Sequence, residues 1–176
     1  FNAAIALGVP AYTRARNADS VALCLSKGLS APVGSLLCGN KDFVERARKF
    51  RKMLGGGMRQ AGVIAAAGIV ALDTMVNRLA EDHANARRLA QGLAGIKGIR
   101  LAQDEIPTNI VMFHLSPELS IVEFVEGLDK AGVKIGLRDG RPFRAVTHRM
   151  VSSSDVDEAL ARIEEVCRRL HRRAQK

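Results

Sequence analysis

The sequence predicts an α/β chain in two parts: the end of a larger α/β domain over 1–95, closing with a connecting helix near 73–95, and a compact α+β domain over 96–176. Three observations carry this. Two apolar runs bounded by turn residues, "SVALCLSK" (20–27) and "VGSLLCGN" (33–40), read as strands of a parallel sheet buried on both faces. A helical pattern then runs almost without interruption from Met58 to about Leu93. After Gly92, Gly95 and Gly98 the apolar period changes, and short strand-like runs alternate with helical ones.

Taken in order, "NAAIALG" reads as a short helix ended by Gly8, with Pro10 barring its simple continuation. After the two strands, residues 42–54 form an amphipathic helix with Phe43, Ala47 and Phe50 along one side, and "GGG" at 55–57 breaks it. The long helical stretch is small and apolar in its first half and charged in its second, so it is expected to begin inside a core and end on a surface. The remainder reads as strands at 99–102 and 109–115, a helix at 120–132, strands at 133–138 and 143–148, and a helix from Asp155, capped by Ser152 to Ser154 with acidic residues in its first turn.

Composition narrows the classes. Of the 176 residues 47% are hydrophobic and 26% charged, a globular balance that excludes a disordered chain. The longest apolar stretch, "AGVIAAAGIVAL" at 61–72, is shorter than the roughly 20 residues a membrane span needs, so no membrane partner is expected. Cys24, Cys38 and Cys167 show no paired or metal-type spacing and read as buried thiols of a reducing compartment, for which cytoplasm and mitochondrion both fit. The histidines are scattered, and no metal site is expected. A net charge of +9 raises the question of nucleic acid. With one tyrosine, no tryptophan and no stacking aromatics among the basic residues, no nucleic-acid partner is expected. The chain opens on Phe1 instead of methionine, and is expected to be a fragment of something longer.

Three places could carry chemistry, each with a plainer alternative. Lys27 stands where a strand ends and a glycine-containing loop begins, the position at which open α/β folds place reactive groups. A lysine partly withdrawn from water there can form a Schiff base with a carbonyl; the alternative is a surface lysine at a turn. "LGGGMRQAG" (54–62) leads into a helix with Lys52 before it and Arg59 in the first turn, an arrangement for an anion or simply a flexible break between helices. In "FRAVTH" (143–148), Arg144 sits in an apolar strand, where its fork suits a carboxylate, either a ligand's or an acidic side chain of the protein itself. His148 reads as structural.

The blocks "DSVALCLSKGLSAPVGSLLCG", "RKMLGGGMRQAG", "RLAEDHANARRLA" and "RAVTH" resemble the low-specificity threonine aldolases, and the resemblance runs from Phe1 to the last helix. These are pyridoxal-phosphate enzymes of the aspartate-aminotransferase type, fold type I. The resemblance implies the C-terminal part of the large cofactor-binding domain followed by the small α+β domain. It implies that Lys27 holds pyridoxal phosphate as an imine, that Lys52 and Arg59 lie near the cofactor phosphate, partly across a subunit boundary, and that Arg144 grips the substrate α-carboxylate. It further implies a homodimer or homotetramer that cleaves L-threonine or L-allo-threonine to glycine and acetaldehyde.

The family's N-terminal half, with its Gly-Thr phosphate loop, ring-stacking histidine and "DGAR" segment, does not occur in these residues. A catalytically inactive remnant or dimerisation module, and another β-eliminating lyase of the same fold, are therefore the rival expectations. Strands and an apolar helix that expect absent neighbours would leave apolar faces open and promote association.

Overall fold

The computed structural model describes residues 1–137 and 142–174. The chain divides into two compact units, Phe1–Leu79 and Ala80–Lys176. The division falls ahead of the expected boundary at 95/96, because the helix that follows it packs into the core of the second unit.

In the first unit, α1 (Asn2–Leu7) stops at Gly8, whose φ of 64° is open to glycine without strain. A short α2 (Ala11–Ala15), not foreseen in the sequence, follows Pro10. β1 (Ser20–Cys24) and β2 (Ser35–Gly39) pair antiparallel, Val21 opposite Cys38 and Cys24 opposite Ser35. The expectation of parallel strands buried on both faces is corrected here: β2 is exposed along its whole length and β1 is half-buried at best. The apolar composition is real, but among the described residues each strand has only the other as a partner, so Leu36 and Leu37 face water. α3 (Lys41–Met53) is capped by Asn40, whose side chain accepts from Phe43 N at 2.9 Å. α4 (Gly62–Thr74) follows. A small core of Leu25, Leu29, Ala31, Ala71 and Leu79 holds the unit together, with Phe1, Ile5, Leu23 and Leu72 packed against it.

The long helix expected from Met58 to Leu93 is two helices. Residues 59–61 form a turn, α4 ends at Thr74, and the helical pattern breaks over 75–78 before α5 (Leu79–Ala94). Its expected burial is also reversed. The apolar α4 buries only Gly68 and Ala71 and exposes Val63, Ile69 and Val70, because a helix apolar on every side needs neighbours all round. The charged α5 has one apolar stripe, Ala86, Leu89, Ala90 and Leu93, and buries it fully, with Asp82 and His83 also enclosed. Among the described residues no single helix is long and apolar enough to cross a membrane.

The second unit is an antiparallel sheet in the order β3 (Ile99–Leu101), β4 (Ile110–Leu115), β5 (Phe143–Val146), covered by α5, α6 (Ile121–Lys130) and α7 (Ser153–Ala174). Ser120 caps α6 through Glu123 N. The serine cluster before α7 works as read. Ser152 Oγ accepts from Asp155 N at 3.2 Å, and Ser152 N donates to Asp155 Oδ2 at 2.8 Å. That pairing holds the Asp155 carboxyl below its ordinary range, chiefly through the Ser152 hydroxyl. The strand expected over 133–138 is corrected to one isolated bridge, Gly136 with Arg144; its last residue, Arg138, lies outside the described residues.

The core of this unit is aromatic at its centre. Phe143 stacks on Phe113 at 5.2 Å and meets the edge of Phe124 at 5.2 Å, and all three are essentially inaccessible. Phe124→Ala is expected to destabilise the unit by about 3 to 5 kcal/mol, read as a lower urea midpoint of the chain; a loss below about 1 kcal/mol would place the packing elsewhere. The thiols give a second check. Burial, assisted by the Glu164 charge, pushes Cys167 up to about 11, whereas Cys38 is exposed. A thiol reagent at about pH 8 should label Cys38 in the folded chain and reach Cys167 only after denaturant is added. Equal labelling of both would contradict this core.

Candidate functional site

Lys27 lies on the turn that follows β1. Leu25 N donates to Gly34 O at 3.0 Å, and Leu25 O accepts from Ala31 N at 3.0 Å, so one buried leucine ties both arms of the loop. Leu29 is buried two residues beyond the lysine. Between these anchors Ser26 and Lys27 are exposed, and Lys27 O accepts from Ser30 N at 2.9 Å. Gly28 packs closely: a Cβ there would come within 2.9 Å of Leu79 Cδ2, so the buried Leu79 side chain would have to shift. The expected partial withdrawal of Lys27 from water is therefore not seen in this chain. What the turn supplies is a rigid base beneath an accessible amine, which forms no ion pair among the described residues. Cys24 stands nearby, its thiol held below the ordinary range first by hydrogen bonding to Ser26, with the Lys27 charge contributing.

Lys52 is exposed in the last turn of α3. The glycines after it act first as a helix stop. Gly55, at φ 82°, donates to Lys52 O at 3.1 Å, and Gly56 N donates to Arg51 O at 2.8 Å, the two bonds of a Schellman cap. Those two N–H groups are spent on the helix end and do not cradle an anion, so this part of the anion-loop expectation is corrected. Arg59 is exposed and lies in the turn before α4, not in its first helical turn. Its neighbour Gln60 has φ 49°, and Ser30 beside the Lys27 turn has φ 58°. These are the non-glycine residues with left-handed backbone among those described, and both adjoin candidate cations.

Arg144 belongs to the second unit. In β5 the inward positions are Phe143 and Ala145, so the period of two turns Arg144 outward, where it is exposed. Met112 of β4 lies opposite it in register, and its backbone is bonded on the other edge, where Arg144 N donates to Gly136 O at 2.8 Å while Gly136 N donates back at 3.2 Å. Among the described residues no acidic side chain pairs with it. His148 accepts from Met150 N through Nδ1 at 3.3 Å in the turn after β5. No group of three or more His, Cys, Asp or Glu side chains among the described residues is arranged to hold a metal ion.

Sequence reading missed a polar cluster beside Arg144. Thr147 continues the inward phase of β5, is 2% exposed, and donates from Oγ1 to Asp82 O at 2.6 Å, while Asn109 Nδ2 donates to Thr147 O at 2.8 Å. A hydroxyl in register with Phe143 and Ala145 was the available signal. A buried hydroxyl must find an acceptor.

Comparison with known proteins places this geometry. The sequence profile of the beta-eliminating lyases matches residues 1–116. The chain is 42% identical over 163 residues to the low-specificity L-threonine aldolase 1 of Arabidopsis thaliana, covering 92% of this chain and 46% of that protein. A solved Listeria monocytogenes protein, assigned as an L-allo-threonine aldolase, superposes with a TM-score of 0.75 at 16% identity, over 94% of this chain and 49% of that one. A structure of SPT with PLP superposes with a TM-score of 0.66 at 19% identity, over 87% of this chain and 40% of that one. These structural likenesses show the fold, that of the fold type I enzymes, and the chain spans about half the length of the curated relatives it matches. With its profile matched from Phe1 through Ser116, the chain belongs to the beta-eliminating lyase family.

Proposed function

We propose that this chain supplies the lysine-bearing and carboxylate-binding parts of a pyridoxal-phosphate-dependent carbon–carbon lyase, which cleaves L-threonine or L-allo-threonine to glycine and acetaldehyde. The observation that carries the reading is the Lys27 turn. An exposed amine on a loop tied down by buried Leu25 and Leu29 meets the need for a nucleophile of fixed position. The 42% identity to a threonine aldolase supports the substrate class.

The residues present fit the cofactor. Lys27 Nζ is free to bond an aldehyde carbon, and Lys52 and Arg59, exposed on either side of the same loop, provide positive charge for a phosphate. Bound pyridoxal phosphate supplies an electron-withdrawing ring that takes up the electron pair released when the Cα–Cβ bond breaks. The protein's part is positioning. Arg144, whose guanidinium has no acidic partner among the described residues, would hold the α-carboxylate with both prongs and so fix how the amino acid is bound. Lys27 Nζ would serve both to hold the cofactor and as a group able to carry a proton to or from the substrate.

The exposed apolar side chains of the first unit, among them Leu36, Leu37, Met53, Leu54 and Val63, support self-association, and we propose a homo-oligomer as the working form.

Borohydride reduction of the pyridoxal-phosphate-loaded protein, followed by peptide mapping, is expected to leave the pyridoxyl label on Lys27, and Lys27→Ala should abolish the cofactor's visible absorbance; a label on Lys52 would overturn the assignment. Arg144→Ala is expected to weaken amino-acid binding by about 2 to 4 kcal/mol while leaving that absorbance in place. Lost absorbance with unchanged amino-acid affinity would make Arg144 structural.

A further inference from the structure

Three residues of α5 hold the segment that follows Arg144. Asp82 O accepts from Thr147 Oγ1 at 2.6 Å, Asn85 Nδ2 donates to Val151 O at 2.9 Å, and Arg88 forms a two-pronged pair with Asp157 at 2.6 Å on each prong. Positions 82, 85 and 88 recur every three residues and share one side of the helix. They take hold of residues 147, 151 and 157 in the same order, as rungs between α5 and the stretch running from β5 into α7. The rung nearest Arg144 is the buried one. Thr147 is engaged through its N–H, its carbonyl and its hydroxyl, the first two by Asn109 at 3.0 and 2.8 Å.

The hydroxyl is not needed for packing. Valine has nearly the same shape and would fill the same inward position behind Phe143 and Ala145. Nor does helix α5 need the bond, since a helical carbonyl already has its partner one turn on. What the bond adds is a direction: it ties the end of β5 to the first turn of α5 in one register. Arg144 lies three residues upstream on the opposite face of the same strand, in register with Met112 and with its backbone bonded to Gly136. A guanidinium that must meet a small carboxylate with both prongs tolerates little slippage of its strand.

We propose that Thr147 is a positioning residue for Arg144, acting through its hydroxyl bond to the Asp82 carbonyl. This rests on the reading of Arg144 as the carboxylate-binding group. The rung fixes where the amino acid is held and leaves cofactor loading untouched.

The test compares Thr147→Val, Thr147→Ser and Arg144→Ala in the pyridoxal-phosphate-loaded protein that carries this chain, with L-allo-threonine as substrate. Thr147→Val is expected to raise KM about fivefold or more with kcat within about twofold and the cofactor absorbance unchanged, and Thr147→Ser to restore KM. Amide hydrogen exchange, independent of turnover, should be faster at Arg144 and Val146 in Thr147→Val than in Thr147→Ser. If Thr147→Val does not fold, Asn85→Ala removes the next rung and is expected to shift KM and exchange in the same direction. Unchanged KM and exchange in the valine variant, while Arg144→Ala raises KM, would overturn the role of Thr147 alone. Unchanged KM in Arg144→Ala would overturn the carboxylate reading and this inference with it.

Discussion

The burial of Phe143 between Phe113 and Phe124 is the contact on which the second unit depends. It joins β4, β5 and α6 at one point, at centroid separations of 5.2 Å, and leaves no accessible surface on Phe113 or Phe124. Because successive side chains of a strand point to opposite faces, fixing Phe143 inward fixes Arg144 outward and Ala145 inward. A shift of one residue in register would bury the guanidinium and expose the ring, exchanging a favourable contact for an unpaired buried charge. The candidate carboxylate-binding residue is therefore oriented by an aromatic contact in which it takes no part.

The first unit solves the same problem with less material. Its core is a handful of side chains, yet the two leucines that flank Lys27 are in it, and Leu25 closes the loop through both its N–H and its carbonyl. The lysine needs no partner of its own to be held in place, because its backbone is held on either side. That arrangement leaves the amine exposed and without an ion-pair partner among the described residues. The glycines near Lys52 show a similar division of labour: Gly55 and Gly56 end α3, and Arg59 stands in the turn beyond them.

The positive net charge finds an explanation in the same terms. Arg88, Arg162, Arg168, Arg169 and Arg173 are paired with acidic side chains at the surface of the second unit, where such pairs contribute little to stability. Arg144, Lys27, Lys52 and Arg59 stand apart from these pairs.

What the sequence by itself determined was local. Gly8 ends its helix and Ser152 caps another as the sequence reads them, since a cap depends on its own neighbours, and Asn40 and Ser120 cap two more helices in the same local way. The motif blocks around Lys27 and Arg144 were legible for the same reason, as was family membership. Tertiary structure decided what depends on distant partners. It made β1 and β2 an antiparallel pair, since direction is set by the strand alongside. It divided one helical pattern at 75–78, exposed the apolar α4 and buried the charged α5, because burial follows the presence of a facing core and not composition alone. It also left a single bridge at Gly136 among residues 133–137 and gave Thr147 an acceptor 65 residues away, a contact no local pattern encodes.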